Sequence, residues 1–205
     1  MKVISIISQK GGAGKTTCTL NLAVAAMMQK GMSVGMVDLD PQGSLLKWGQ
    51  LRDNQEPEIV SAQAVNLPNV IRAADNAGVD RLYIDTPPHS ADSALQSAKC
   101  SDIIIVPVKA SVIDLQALEN TFDLAVVAKK QAYAVVNMAP ATGTLSSDAQ
   151  EGIDDLGYAS APLTIGNRAA FVRSFMFGQS ILEFEPKGKG AAEILALFDW
   201  IESVL

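Results

Sequence analysis

Cysteine and histidine are scarce in this chain. The two cysteines, Cys18 and Cys100, stand far apart and form no CxxC pair. That argues against a disulfide framework and against a cysteine-ligated zinc site. Both read as small buried residues of a reduced, cytoplasmic protein. The single histidine, His89, leaves no His/Cys cluster for zinc and no serine–histidine pair for nucleophilic catalysis. No apolar run approaches the length of a membrane span. The apolar start, Val3–Ser8, is too short for the core of a signal peptide. Basic residues are outnumbered, 16 to 22, for a net charge of -6. A nucleic acid or anionic membrane would therefore have to meet a local basic patch. What remains is a chain of 205 residues, 48% hydrophobic and 19% charged, suited to one domain with a substantial core.

Short apolar runs alternate with helical patterns. Strands are expected at Val3–Ser8, Val34–Asp40, Arg81–Asp85, Ile103–Val108 and Ala132–Asn137, with a short one near Glu58–Ser61. Runs that are apolar throughout are those of strands buried on both faces. Helices are expected at Lys15–Gln29, Ser44–Arg52, Leu67–Ala77, Ser90–Ala98, Ile113–Lys130, Ser146–Leu156, Asn167–Phe177 and Ala191–Val204. In the fifth, Leu115, Leu118, Phe122 and Ala125 share one face. The alternation predicts an α/β fold, a mainly parallel sheet with helices on both faces. Ligands bind such sheets beyond the carboxyl ends of the strands. There is no internal repeat, linker or low-complexity tract.

The stretch "KGGAGKTT", residues 10–17, falls between the first strand and the first helix. A glycine-rich turn there wraps backbone N–H groups around phosphate oxygens, aided by the positive end of the helix. Gly11, Gly12, Ala13 and Gly14 would form the cradle. Lys15 would reach the β- and γ-phosphates, the Thr16 hydroxyl would bind Mg²⁺ and Thr17 would serve the α-phosphate. The usual first glycine of such a loop is missing, since Gln9 stands in its place. An additional lysine, Lys10, precedes the glycines instead.

"KGGAGKTT" resembles the deviant phosphate loop of the ParA/MinD family of P-loop ATPases. The resemblance continues through "DLDPQGS" (38–44), "YIDTPP" (83–88), "DIIIVPV" (102–108), "VVN" (135–137) and "IGNRAAF" (165–171). It is strongest to short ParA-type partition ATPases. It implies one P-loop ATPase domain over residues 1–205, without a separate N-terminal DNA-binding domain. It also implies a slow, Mg²⁺-dependent ATP hydrolase that forms a homodimer on ATP binding, with Lys10 reaching the phosphates of the partner. A cation arriving in trans offsets charge growing on the transferring phosphoryl group, as an arginine finger does.

Asp85 ends an apolar strand in the Walker B manner and is expected to reach Mg²⁺ through water. Asp38 and Asp40 are expected to end the second strand on the same side. By resemblance, Asp40 orients the attacking water and lies near the metal. Asp38 either supports it or tethers the loop. The catalytic set is then Lys10, Lys15 and Asp40, and the metal set is Thr16, Asp40 and Asp85. His89, after Pro87 and Pro88, belongs to a switch-like loop. Asn137, ending a strand, is suited to the donor–acceptor edge of adenine; the arginine that commonly follows in the family is absent, so guanine and cytosine remain open. The loop Pro162–Asn167 is expected, by resemblance, to cover the base.

Family members act on a surface, either non-specific DNA or membrane. The last helix places Ile194, Leu197, Phe198, Ile201 and Leu205 on one face and carries no basic residue after Lys189. It reads as core-packed rather than as a membrane-surface helix. Arg168, Arg173, Lys187, Lys189, Lys129 and Lys130 are the candidates for contacting DNA phosphates. The resemblance thus implies a cytoplasmic, nucleoid-associated partition ATPase stimulated by a ParB-like centromere-binding protein. A positioning ATPase working on membrane or a protein array shares every ATP motif. A ligase or iron–sulfur reductase on the same fold is a third class, for which neither a substrate pocket nor suitable cysteines are visible.

Overall fold

The computed structural model describes residues 1–110 and 112–205, with the backbone alone at 112–117. Seven strands form one sheet: β1 (Lys2–Ile6), β2 (Val34–Asp38), β3 (Glu58–Ser61), β4 (Arg81–Asp85), β5 (Ile103–Lys109), β6 (Ala132–Ala139) and β7 (Ser160–Gly166). Their order is β3-β2-β4-β1-β5-β6-β7, and every pairing is parallel. β1 is therefore central, with three strands on either side. Ile6 and Asp38 both register with Asp85, so β1, β2 and β4 end at one level and their loops emerge together.

Alternate residues divide between the two faces. Ile4, Ile6, Ile103 and Ile105 pack on one side with α1 (Lys15–Lys30) and α9 (Lys189–Val204). Val3, Val37, Leu82 and Ile84 face the other way. So do Ile104 and Val106, against α4 (Ala91–Cys100) and α5 (Val112–Ala128). Each fully buried aliphatic side chain contributes about 1.5–3 kcal/mol, and covering both faces explains why the runs are apolar throughout. α1 is buried along its length, as a central helix must be, from Cys18 to Ala26. It stops at Gly31, whose positive φ of 60° lets its N–H close on the Met27 carbonyl. On α5, Leu118, Phe122 and Ala125 are buried as expected; Leu115 lies outside the described side chains. The last helix is core-packed, with Ile194, Leu197, Phe198 and Ile201 all buried.

Three expectations are corrected. β2 ends at Asp38, not Asp40, because the Asp38 carboxylate accepts from the Asp40 N–H at 3.0 Å and turns the chain. The segment expected as the loop Pro162–Asn167 is mostly strand β7, whose half-exposed pattern and Pro162 suit a sheet edge. The short helix α8 (Ile181–Phe184) was not expected at all. It follows α7 (Ala169–Met176) and starts at a capping box of Ser180 and Glu183. Three further helices complete the elements: α2 (Ser44–Gln50), α3 (Leu67–Asn76) and α6 (Leu145–Asp155).

Candidate nucleotide site

The glycine loop joins β1 to α1 at the centre of the sheet's carboxyl edge. Gly12 and Gly14 have φ of 70° and 93°, which a side chain would strain. Gly14 is excluded from substitution on a second ground: a Cβ there would lie 2.1 Å from the Asn137 amide nitrogen. Asn137 explains the closeness. From β6, which runs on to Ala139 rather than ending at Asn137, its Nδ2 donates to the Ala13 carbonyl at 2.8 Å, while its Oδ1 accepts from the Met138 N–H at 2.9 Å. The amide thus braces the loop.

Lys15 is buried, and its Nζ donates back to the Lys10 carbonyl at 3.3 Å. Burial lowers its pKa, against the pull of Asp85 and Asp40. An ammonium held in this way, beside the N-terminus of α1, is suited to a polyphosphate. The Thr16 hydroxyl donates to Asp85 Oδ2 at 2.6 Å. The other oxygen, Asp85 Oδ1, is buried with no hydrogen-bond partner. Burial pushes the Asp85 carboxyl up to about 7, with Thr16 and Lys15 opposing and Asp38 and Asp40 reinforcing the rise.

An orphaned carboxylate oxygen beside a threonine hydroxyl is a place for a hard cation. Among the described residues no group of three or more His, Cys, Asp or Glu forms a metal cage. Mg²⁺ needs no such cage, being held by one or two protein oxygens together with water and substrate phosphate. Thr16 and Asp85 are positioned for it. Asp40 lies in the β2–α2 loop, accepting from the Gln42 N–H at 2.9 Å. Asp38, fully buried, accepts from the N–H groups of Asp40 and Leu46, each at 3.0 Å, and so tethers that loop. Thr86 donates to the Ile6 carbonyl at 2.9 Å, and the His89 N–H bonds the Gln9 carbonyl at 3.2 Å. The Pro87–Pro88 segment is thereby anchored on one side to the end of β1 and on the other to Gln9, just before the phosphate loop.

On the opposite flank a cavity of about 250 Å³ opens beside Thr17 and Asn137. Its walls are Gly166 and Asn167 at the end of β7 and Phe171, Val172, Phe175 and Met176 of α7. Apolar walls and a few polar groups suit a planar heterocycle. Of the segment 162–167, Gly166 and Asn167 line the cavity, and α7 supplies most of its apolar wall. Sequence reading missed the aromatic and aliphatic side chains of α7, although "IGNRAAF" ends on the first of them. It also missed Lys109, the last residue of β5, whose Nζ approaches Gly12.

Of the basic candidates, Arg168 is committed elsewhere: its Nε and Nη2 both donate to the Glu193 carboxylate. Arg173, Lys187, Lys189 and Lys129 are exposed, and Lys130 is half-buried. No helix among the described residues is long and apolar enough to cross a membrane.

Known proteins match this arrangement. A family model described as "AAA domain" matches residues 1–79, which hold the loop, Asp38 and Asp40. The chain is 30% identical over 202 residues to a "Maintenance of carboxysome distribution protein A" of Halothiobacillus neapolitanus, covering 93% of this chain and 91% of that protein. It is 27% identical over 211 residues to a "Protein ParA" of Rhizobium radiobacter, covering 95% and 91%. Among solved structures, the septum site-determining protein MinD of Pyrococcus horikoshii, complexed with Mg-ADP, superposes with a TM-score of 0.77. There the identity is 20%, over 99% of this chain and 96% of that one.

Proposed function

The chain belongs to the ParA/MinD family of P-loop ATPases, and on that premise we propose that it is a slow, Mg²⁺-dependent ATP hydrolase that positions a cargo. The observation carrying this is the phosphate loop with the Thr16–Asp85 pair and the orphaned Asp85 oxygen beside it. In this reading residues 1–205 act as one ATPase domain. Gly11, Gly12, Ala13 and Gly14 offer backbone N–H groups to the phosphates. Lys15 binds the β- and γ-phosphates, and Thr17 the α-phosphate. Thr16, Asp85 and Asp40 would hold Mg²⁺, which would supply positive charge to offset that developing on the phosphates. Asp40 orients the attacking water and Asp38 fixes the backbone that carries it. Asn137 lines the base cavity while bracing Ala13, with the base, adenine by preference, resting against α7.

Lys10 acts across a homodimer that forms on ATP binding, where it serves the partner's phosphates. The ATP-bound dimer binds DNA without sequence preference through Arg173, Lys187 and Lys189, so that the cytoplasmic protein gathers on the nucleoid. A partner of the ParB-like, centromere-binding type speeds hydrolysis and releases the dimer. The cargo is then a replicon. A second reading keeps the ATP cycle and the DNA surface but makes the cargo a protein body. It is favoured by the near full-length likeness to a carboxysome distribution protein.

Two experiments bear on the core of this reading. Lys15→Ala should abolish ATP binding and ATP-dependent dimerisation, read by nucleotide titration and light scattering; normal dimerisation of that variant would rule out the loop assignment. Lys10→Ala should bind ATP normally yet lose about 100-fold or more of its partner-stimulated turnover, somewhat below the loss for an arginine finger. Unchanged stimulated turnover would remove the role in trans.

A further inference from the structure

A third lysine reaches the phosphate loop, and the loop motif does not account for it. Lys109 is the last residue of β5, the strand beside β1. Its Nζ stands 3.6 Å from where a Cβ on Gly12 would lie. Gly12 is exposed at the crown of the loop, so the ammonium arrives there with no side chain between it and the backbone. With Ser8, Lys10, Ala13 and Leu118, Lys109 lines a small cleft beside the loop. It is half-buried, and among the described residues it joins no ion pair. In the β5–β6 register it stands directly across from Asn137, the residue that braces Ala13. Two neighbouring strands thus send an amide to hold the loop and an ammonium to its crown.

The carboxylates of the site come from the other flank, Asp38 and Asp85 at the ends of β2 and β4 and Asp40 in the loop after β2. Partial burial of an ammonium is costly unless an anion meets it. The backbone N–H groups of the loop and the start of α1 select an anion at that position. We infer that Lys109 binds the phosphate chain of the nucleotide from the β5 side, in cis, complementing Lys15 on the carboxylate side. This rests on residues 10–17 being the phosphate loop. A cation at the crown gains with each added phosphate charge, so Lys109 favours a nucleoside triphosphate over a diphosphate.

The test titrates the full chain, with Mg²⁺, against fluorescent ATP and ADP analogues across a salt series. Lys109→Gln, Lys109→Arg and Lys15→Ala are compared with the parent chain. Lys109→Gln should weaken triphosphate binding about 10-fold and diphosphate binding less, and should flatten the salt dependence. Lys109→Arg should retain most of the affinity and the triphosphate preference. Equal weakening for both nucleotides, with a lowered Tm, would mean that Lys109 only supports the fold, and the inference would fall. Unchanged triphosphate affinity in Lys109→Gln, with binding lost in Lys15→Ala, would sink this inference alone. Normal binding in Lys15→Ala would sink the loop assignment beneath it.

Discussion

At Asp85 a carboxyl group is held where its charge is disfavoured. Burial raises it to about 7 from an ordinary 3.8. Between those values the folded protein keeps a proton that the unfolded chain releases. Its stabilising contribution is therefore full below about pH 4 and is lost as pH rises through about 7. Nucleotide-free Asp85→Asn should consequently melt several degrees above the parent near pH 8 and alike near pH 4. Thermal scans at both pH values check this, and an equal gain at each would exclude the titration as its cause. The same variant should lose Mg²⁺-dependent nucleotide binding. Asp85 was legible in the sequence because an apolar strand seldom ends on an acid without a reason. Lys15 and Thr16 were legible because their spacing is fixed by the loop. The Asn137–Ala13 brace was not, since a contact between residues 124 positions apart leaves no local pattern. Lys109 was within reach: it follows the last residue of "DIIIVPV", at the edge where ligands bind.

Among the elements, α2 and α8 are tied together beyond what either sequence segment announces. The Arg52 guanidinium, just past α2, donates to both Glu183 oxygens, at 2.8 and 3.0 Å, and to the Gly178 carbonyl at 2.9 Å. It also lies 4.5 Å over the ring of Trp48, whose Nε1 donates to the Gln179 carbonyl at 3.2 Å. Trp48→Ala should cost ~3–5 kcal/mol because the ring is fully buried. Ser180→Ala should cost only ~1 kcal/mol, the price of a helix cap. Urea denaturation resolves the two, and similar losses would contradict the packing described. The strongly apolar strands could be read directly from the chain. β7 could not, because Pro162 and a half-exposed pattern resemble a loop, as edge strands do. The four residues of α8 are too few for periodicity, yet the Ser180-x-x-Glu183 spacing is a readable start signal.

For the whole molecule, net charge and surface charge tell different stories. A chain of net charge -6 gains no general attraction to DNA. In the proposed function, contact comes from Arg173, Lys187 and Lys189, all exposed. Each of their alanine variants should lower the salt slope of ATP-dependent DNA binding by about one, measured by anisotropy. Arg168→Ala should instead reduce stability, by leaving Glu193 without its cationic partner and with only the Gly166 N–H. Slopes that stay fixed in all three exposed variants would move the DNA surface elsewhere. Finally, the central place of β1 splits the labour of the sheet. The flank of β2 and β4 carries Asp38, Asp40 and Asp85, and the flank of β6 and β7 carries the apolar cavity proposed to take the base. Under the proposed function, choice of fuel and rate of burning are then separable traits. A chimaera that takes residues 132–176 from a relative with another base preference should change which nucleotide it consumes while keeping its own turnover clock.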